Sequence, residues 1–258
     1  MSWMAALDYR QGASHRRAGI PCQDFGRLAL PDENTVIAAF ADGAGSARFS
    51  HLGARAAVDA ALPWIRERIA DAPGLRGAVS RLSPERLFDG LTNTVQAAIR
   101  ETANDNRLSL DDLACTLTVV ALAPNGVSVA QIGDGIVVAR LSHQDYTLLI
   151  QPDRGEYANE TSFVTDPDAA DRLRVRSLEG PVRFVSAATD GLAAVSVDNR
   201  AQTPHATFFS PIDLFTRQSG SALEVHDGIR AFLASDRLSA KVEDDLTLMV
   251  CGWRGLDG

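Results

Sequence analysis

The chain has 258 residues, 45% hydrophobic and 22% charged, with 33 acidic against 25 basic residues and a net charge of -8. That length and balance fit one large domain, residues 1–258, with a core of good size, and they argue against non-specific nucleic-acid binding, which draws on Lys and Arg to neutralise phosphates. No apolar run approaches the roughly 20 residues that span a bilayer, and the first residues lack the basic and apolar stretches of a signal peptide.

Residues 36–41 (VIAAFA) form a short apolar run closed by Asp42-Gly43, the pattern of a buried strand. Ser50 can cap a helix running toward Ile69, with Leu52, Ala56, Ala60 and Trp64 on one stripe and a kink or restart expected at Pro63. Ser83-Pro84-Glu85 starts a second helix carrying Leu87, Leu91, Val95 and Ile99 on one face, ended by the polar residues 104–106. Residues 114–122 are rich in β-branched side chains; Pro124-Asn125-Gly126 is a turn, and residues 127–132 are the return strand. Gly133-Asp134-Gly135 turns into a strand over 136–141, and 146–150 continues that sheet. Residues 151–176 are polar and irregular, a loop or flap between two acidic motifs. A strand follows at 182–188, helices at 211–217 and 223–233, and a last strand at 246–252. Trp3 and Trp253 lie near the ends and carry no signal. Strands and helices in separate clusters indicate a mixed α+β layered architecture.

Three apolar strands end in the same way: Asp42-Gly43, Asp134-Gly135 and Asp190-Gly191. Asp244-Asp245 precedes the last strand, and Asp24 lies upstream. Asp-Gly is a favoured turn pair, so each could be turn chemistry alone. The alternative is a site for hard divalent cations, since Mg²⁺ and Mn²⁺ prefer oxygen ligands and strand ends hold short Asp side chains rigidly. Zinc fits poorly, because His15, His51, His143, His205 and His226 show no ligand spacing. Cys22, Cys115 and Cys251 form no C-x-x-C pair, which suits a reducing cytoplasm. Cys22 and Arg27 are one residue too close for a cysteine-based phosphatase signature.

The ordered motifs resemble the metal-dependent (type-2C) serine/threonine protein phosphatases, in particular a compact bacterial branch. Residues 12–15 through Cys22-Gln23-Asp24 look like the opening motif; Asp42-Gly43-Ala44-Gly45 resembles the metal-bridging Asp-Gly-x-Gly. Cys115-Thr116 stands where Gly-Thr-Thr is common. Gly133-Asp134-Gly135, Thr189-Asp190-Gly191 and the stretch 243–247 resemble the family's Gly-Asp-Ser, Ser-Asp-Gly and closing Asp-Asn motifs.

The resemblance implies a four-layer α-β-β-α sandwich with two central antiparallel sheets flanked by helix pairs. It implies two Mg²⁺ or Mn²⁺ ions, Asp42 bridging them with the Gly43 carbonyl on one. Asp190 and Asp244 would hold the other ion, Asp24 would act through water, and Asp134 would help form a third, weaker site. It further implies hydrolysis of phosphoserine and phosphothreonine in proteins by a hydroxide held between the ions. The substrate is then a phosphoprotein, a serine/threonine kinase works in opposition, and neither nucleic acid nor membrane is involved. His15, Arg16 and Arg17 are all candidates for gripping phosphate. Asp245 replaces the usual Asn, so either carboxylate of the closing pair could be the ligand, the following strand favouring Asp244. A catalytically weak binding module on the same fold and a hydrolase of small phosphate esters are the alternatives.

Overall fold

The computed structural model describes residues 2–70, 83–150, 161–198 and 200–254. Two ends of the chain meet: β1 (Ser2–Arg10) runs antiparallel to β12 (Leu246–Arg254), with Ser2 opposite Arg254 and Arg10 opposite Leu246. β9 (Val182–Ala188), β6 (Ile136–Leu141) and β7 (Thr147–Ile150) complete a five-stranded sheet in the order β1-β12-β9-β6-β7. A second five-stranded sheet takes β2 (Phe25–Asp32), β3 (Thr35–Ala41), β4 (Leu117–Ala123), β5 (Gly126–Ile132) and β8 (Arg174–Glu179) in that order. Every pairing in both sheets is antiparallel. A small ribbon joins β10 (Val197–Asp198) to β11 (Thr203–Pro204).

Strand side chains alternate faces, so each apolar strand serves two cores at once. In β3, Val36, Ala38 and Phe40 face the other sheet, while Ile37, Ala39 and Ala41 face helices. The central layer joins them to Val120, Val129, Val137, Val185 and Met249 from both sheets. On one outer face α2 (Ser50–Ala70), α3 (Pro84–Phe88) and α4 (Leu91–Asn106) bury Val58, Ile65, Leu87, Val95 and Ile99 against the second sheet. On the other, α6 (Ala206–Gln218), α7 (Ala222–Leu233) and the short α5 (Ala193–Ser196) and α8 (Asp236–Ser239) pack on the first sheet through Phe209, Val225, Ile229 and Leu238. The result is the α-β-β-α sandwich. Each fully buried Val, Leu or Ile contributes about 1.5–3 kcal/mol, so the three apolar layers outweigh any surface ion pair, worth about 0–1 kcal/mol.

Several expectations are corrected. The helix starting at Ser83 is two helices, broken at Asp89-Gly90, where Gly90 takes φ +88. Ser83 makes no side-chain cap. α2 runs through Pro63 without interruption. Of the proposed flap, 151–160 lies outside the described residues; residues from Arg174 onward are not loop but edge strand β8, paired with β5. Its sequence RVRSLE has no apolar run because both its faces are largely solvated. Strands β1 and β2 gave no clear sequence signal. Trp3 and Trp253 are buried and meet edge to face at 4.9 Å, closing the sandwich where the ends pair. Among the described residues no helix is long and apolar enough to cross a membrane.

Candidate active site

Strand register brings the acidic motifs together. β2 and β3 pair with Phe25 opposite Ala41, so Asp24, just before one strand, stands beside Asp42, just after its neighbour. In the other sheet Ala188 lies opposite both Ile136 and Leu248. That places Asp190 between Asp134, before β6, and Asp244, before β12. The Gly133-Asp134-Gly135 turn is no hairpin: it carries the chain from β5 in one sheet to β6 in the other. Gly133 takes φ +110 there, and a Cβ would sit 2.5 Å from Thr116 Cγ2. The carboxylates therefore converge at one open end of the sandwich, around a cleft of about 600 Å³ lined by Asp42, Asp134, Asp190 and Asp244.

Asp24 lies behind this cleft, 2% exposed. Its Oδ2 accepts hydrogen bonds from Thr189 Oγ1 at 2.8 Å and Thr247 Oγ1 at 2.7 Å, across the gap between the sheets. Its Oδ1 is buried without a donor. Burial, followed in weight by hydrogen bonds that act the other way, leaves the Asp24 carboxyl raised to about 7. Asp42 is pushed well above the usual carboxylate range by burial and by the charges of Asp24, Asp190 and Asp244. Asp190 rises to about 6 through burial and the charges of Asp134 and Asp244. Such crowding of like charges is unfavourable without compensation.

Local hydrogen bonds hold the cluster rigid. Thr116 Oγ1 accepts from the Asp42 amide at 2.9 Å, and the Thr116 amide donates to the Asp42 carbonyl at 2.8 Å. Gly43 bridges Cys115 on the same β4 approach and lines the cleft. Asp134 Oδ2 accepts from Thr161 Oγ1 at 2.8 Å.

The closing pair divides. Asp245 is 2% exposed and turned inward: Oδ1 accepts from the Gly12 amide at 2.5 Å and Oδ2 from the Gln23 amide at 2.6 Å. Asp244 is exposed on the cleft wall. Asp245 thus ties the opening motif to the closing one, and Asp244 alone of the two faces the cleft.

Of the three phosphate candidates on α1 (Ala13–Ala18) and its flank, His15 lines the cleft. Its Nδ1 lies 2.9 Å from Asp245 Oδ2, out of line for a hydrogen bond. Arg16 turns back to donate to the Gln11 carbonyl. Arg17 pairs with Glu243 at 3.0 Å on the surface. Among the described residues no Arg or Lys side chain lines the cleft. Cys22 is no nucleophile: burial and the charges of Asp245 and Asp24 push its thiol far up, away from the reactive thiolate.

The donor set suits a hard divalent cation: short carboxylates, carbonyls and hydroxyls, with a buried carboxylate oxygen lacking any donor. Among the described residues no three His, Cys, Asp or Glu side chains already close on one point. The carboxylates ring a cleft instead, which fits ions that keep several of their waters. Sequence reasoning missed Thr189, Thr247 and Thr161 as supports; only the strand-end position of the two first, beside acidic motifs, could have singled them out.

The protein phosphatase 2C family model matches residues 11–234. Serine/threonine-protein phosphatase 3 of Escherichia coli (strain K12) is 32% identical over 261 residues, covering 98% of this chain and 99% of its own. Among solved structures, serine/threonine phosphatase Stp1 from Staphylococcus aureus superposes with a TM-score of 0.63 at 14% identity, covering 99% of this chain and 96% of that one. The catalytic domain of the serine threonine protein phosphatase PstP, in complex with 2 manganese ions, gives 0.60 at 16% identity, with 97% of each chain covered. The chain belongs to the protein phosphatase 2C family.

Proposed function

We propose that this member of the protein phosphatase 2C family removes phosphate from serine and threonine in proteins with two divalent cations, Mg²⁺ or Mn²⁺, seated in the carboxylate cleft. The observation that carries the reading is the convergence of Asp24, Asp42, Asp134, Asp190 and Asp244 from separate strand ends in both sheets. Bound there, the cations would neutralise phosphoryl charge and lower the pKa of water.

The chain's own groups then have distinct tasks. Asp42, central among the carboxylates, would bridge the two ions with the Gly43 carbonyl beside it. Asp190 and Asp244 would hold one ion, and Asp134 with Asp190 a third, weaker one. Thr189 and Thr247 fix Asp24 behind the cleft by one oxygen and leave Oδ1 without a donor, so that Asp24 would act through water rather than touch an ion directly. Asp245 faces His15 Nδ1, which leaves Nε2 as the ring nitrogen available to a phosphoryl oxygen or the leaving alcohol. Arg16 is replaced in this reading by His15. We place the protein in the cytoplasm, where three free cysteines stay reduced, with an opposing serine/threonine kinase as its natural partner.

The test is turnover of a phosphothreonine peptide with and without Mn²⁺. Activity should require the ion, vanish with chelator, and fall about 100-fold or more in Asp42→Asn. Mn²⁺ binding without turnover would instead make the chain a binding module. Faster turnover of small phosphate esters than of phosphopeptides would make it a metabolite phosphatase.

A further inference from the structure

Alternate residues in the stretch before β8 face opposite ways: Thr161 and Phe163 line the carboxylate cleft, while Ser162 and Val164 are buried behind it. The backbone of Phe163 is pinned. Its amide donates to Asp166 Oδ2 at 2.8 Å, and its carbonyl accepts from the Asp166 amide at 3.1 Å. The next residue is anchored too. The Val164 amide donates to the Cys115 carbonyl at 2.8 Å, and Gln96 Nε2 of α4 donates to the Val164 carbonyl at 2.9 Å. The Val164 side chain is fully buried in the core under the helices.

The Phe163 ring is held in place but not covered. It stays partly exposed. Among the described residues it meets no other aromatic ring and no guanidinium, and it joins none of the three apolar layers. It is also the one large apolar side chain among the described residues that line the cleft. Apolar surface gains when a partner removes it from water, and a wall that is already fixed loses little freedom on binding. Phe163 lies two residues from Thr161, whose hydroxyl touches Asp134, so at most roughly 7 Å of backbone separates the ring from the carboxylates.

We propose that Phe163 is a specificity-determining residue: its ring receives an apolar side chain next to the phosphorylated residue of a protein substrate. This rests on the phosphatase reading above. A cleft of about 600 Å³ has room for more than a phosphate and its ions. Neighbouring residues of a peptide stand about 3.8 Å apart, so a phosphorylated side chain at the carboxylates brings its neighbour to the ring. An apolar neighbour suits the ring whatever ions are bound, whereas a basic one would be repelled by divalent cations beside it.

The test is Mn²⁺-dependent kcat/KM of the full chain on three phosphothreonine peptides that differ only in the flanking residues, Leu, Ser or Lys. The wild type should favour the Leu-flanked peptide over the Ser-flanked one about tenfold, mainly through KM. Phe163→Ala should bring that ratio close to one, and Phe163→Leu, which keeps an apolar wall, should retain most of it. The readout is a ratio within each protein, so a general loss of activity in a variant does not enter it. A wild type indifferent to Leu and Ser, or one that favours Lys over Leu, overturns the proposal. So does a ratio unchanged in Phe163→Ala, or lost equally in both variants. Absence of turnover on all three peptides would instead overturn the phosphatase reading on which the proposal rests.

Discussion

Asp244 and Asp245 are chemically identical neighbours, yet one faces a cleft and the other holds two backbone amides. No local rule separates them, because the difference is made by Gly12 and Gln23, more than 200 residues away in sequence. His15, Arg16 and Arg17 pose the same problem: only the tertiary position of α1 turns one toward the cleft. The aspartates themselves were legible, because acidic residues recur at strand ends in a fixed order. Their crowding leads to a prediction about pH. The carboxyls of Asp24, Asp42 and Asp190 are raised in the folded state above their unfolded values. At high pH they are ionised in both states, and the folded state bears the repulsion. As pH falls through about 7 and then about 6, the folded state takes up protons that the unfolded chain does not yet bind. Stability of the metal-stripped protein should therefore rise from pH 8 toward pH 5.5, by linkage. Mn²⁺ should stabilise most at the high end, where the sites are deprotonated. Thermal unfolding across that range checks both; a metal-stripped protein that weakens steadily as pH falls would contradict the account.

At the scale of elements, strands β3, β4, β5, β6, β9 and β12 were readable because all but a few of their residues are buried, giving near-continuous apolar runs. Strands β1, β2 and β8 carry polar residues on partly solvated faces and offered no such run. Helix breaks depend on backbone conformations that residue types only suggest, as at Gly90. Packing between elements was invisible altogether. At Gly53, α2 lies so close to the turn at Asp111–Leu113 that a Cβ would come within 1.9 Å of the Leu113 carbonyl oxygen. Gly53→Ala should cost about 3 kcal/mol or more, since backbone must move. Gly90→Ala has φ +88 but open space around it, so its cost should be the left-handed penalty alone, about 1–2 kcal/mol. Denaturant midpoints of the two variants compare them; equal losses would mean that α2 is not seated as described.

For the whole molecule, the pairing of β1 with β12 is the decisive arrangement. It brings the opening motif, the closing motif and the ends of β3 and β9 to one end of the sandwich, where two sheets contribute carboxylates to a single cleft. The ordered motifs made this architecture legible through the family resemblance, whereas strand patterns alone could not say how the sheets stack. The central claim is that the strand-end carboxylates gather divalent ions. Anomalous diffraction from crystals grown with Mn²⁺ tests it most directly. The account predicts ions in the cleft at about 2.0–2.3 Å from carboxylate oxygens of Asp42, Asp190 and Asp244, with Asp245 still bound to the Gly12 and Gln23 amides. Manganese absent from the cleft, or bound there without Asp42, would contradict it.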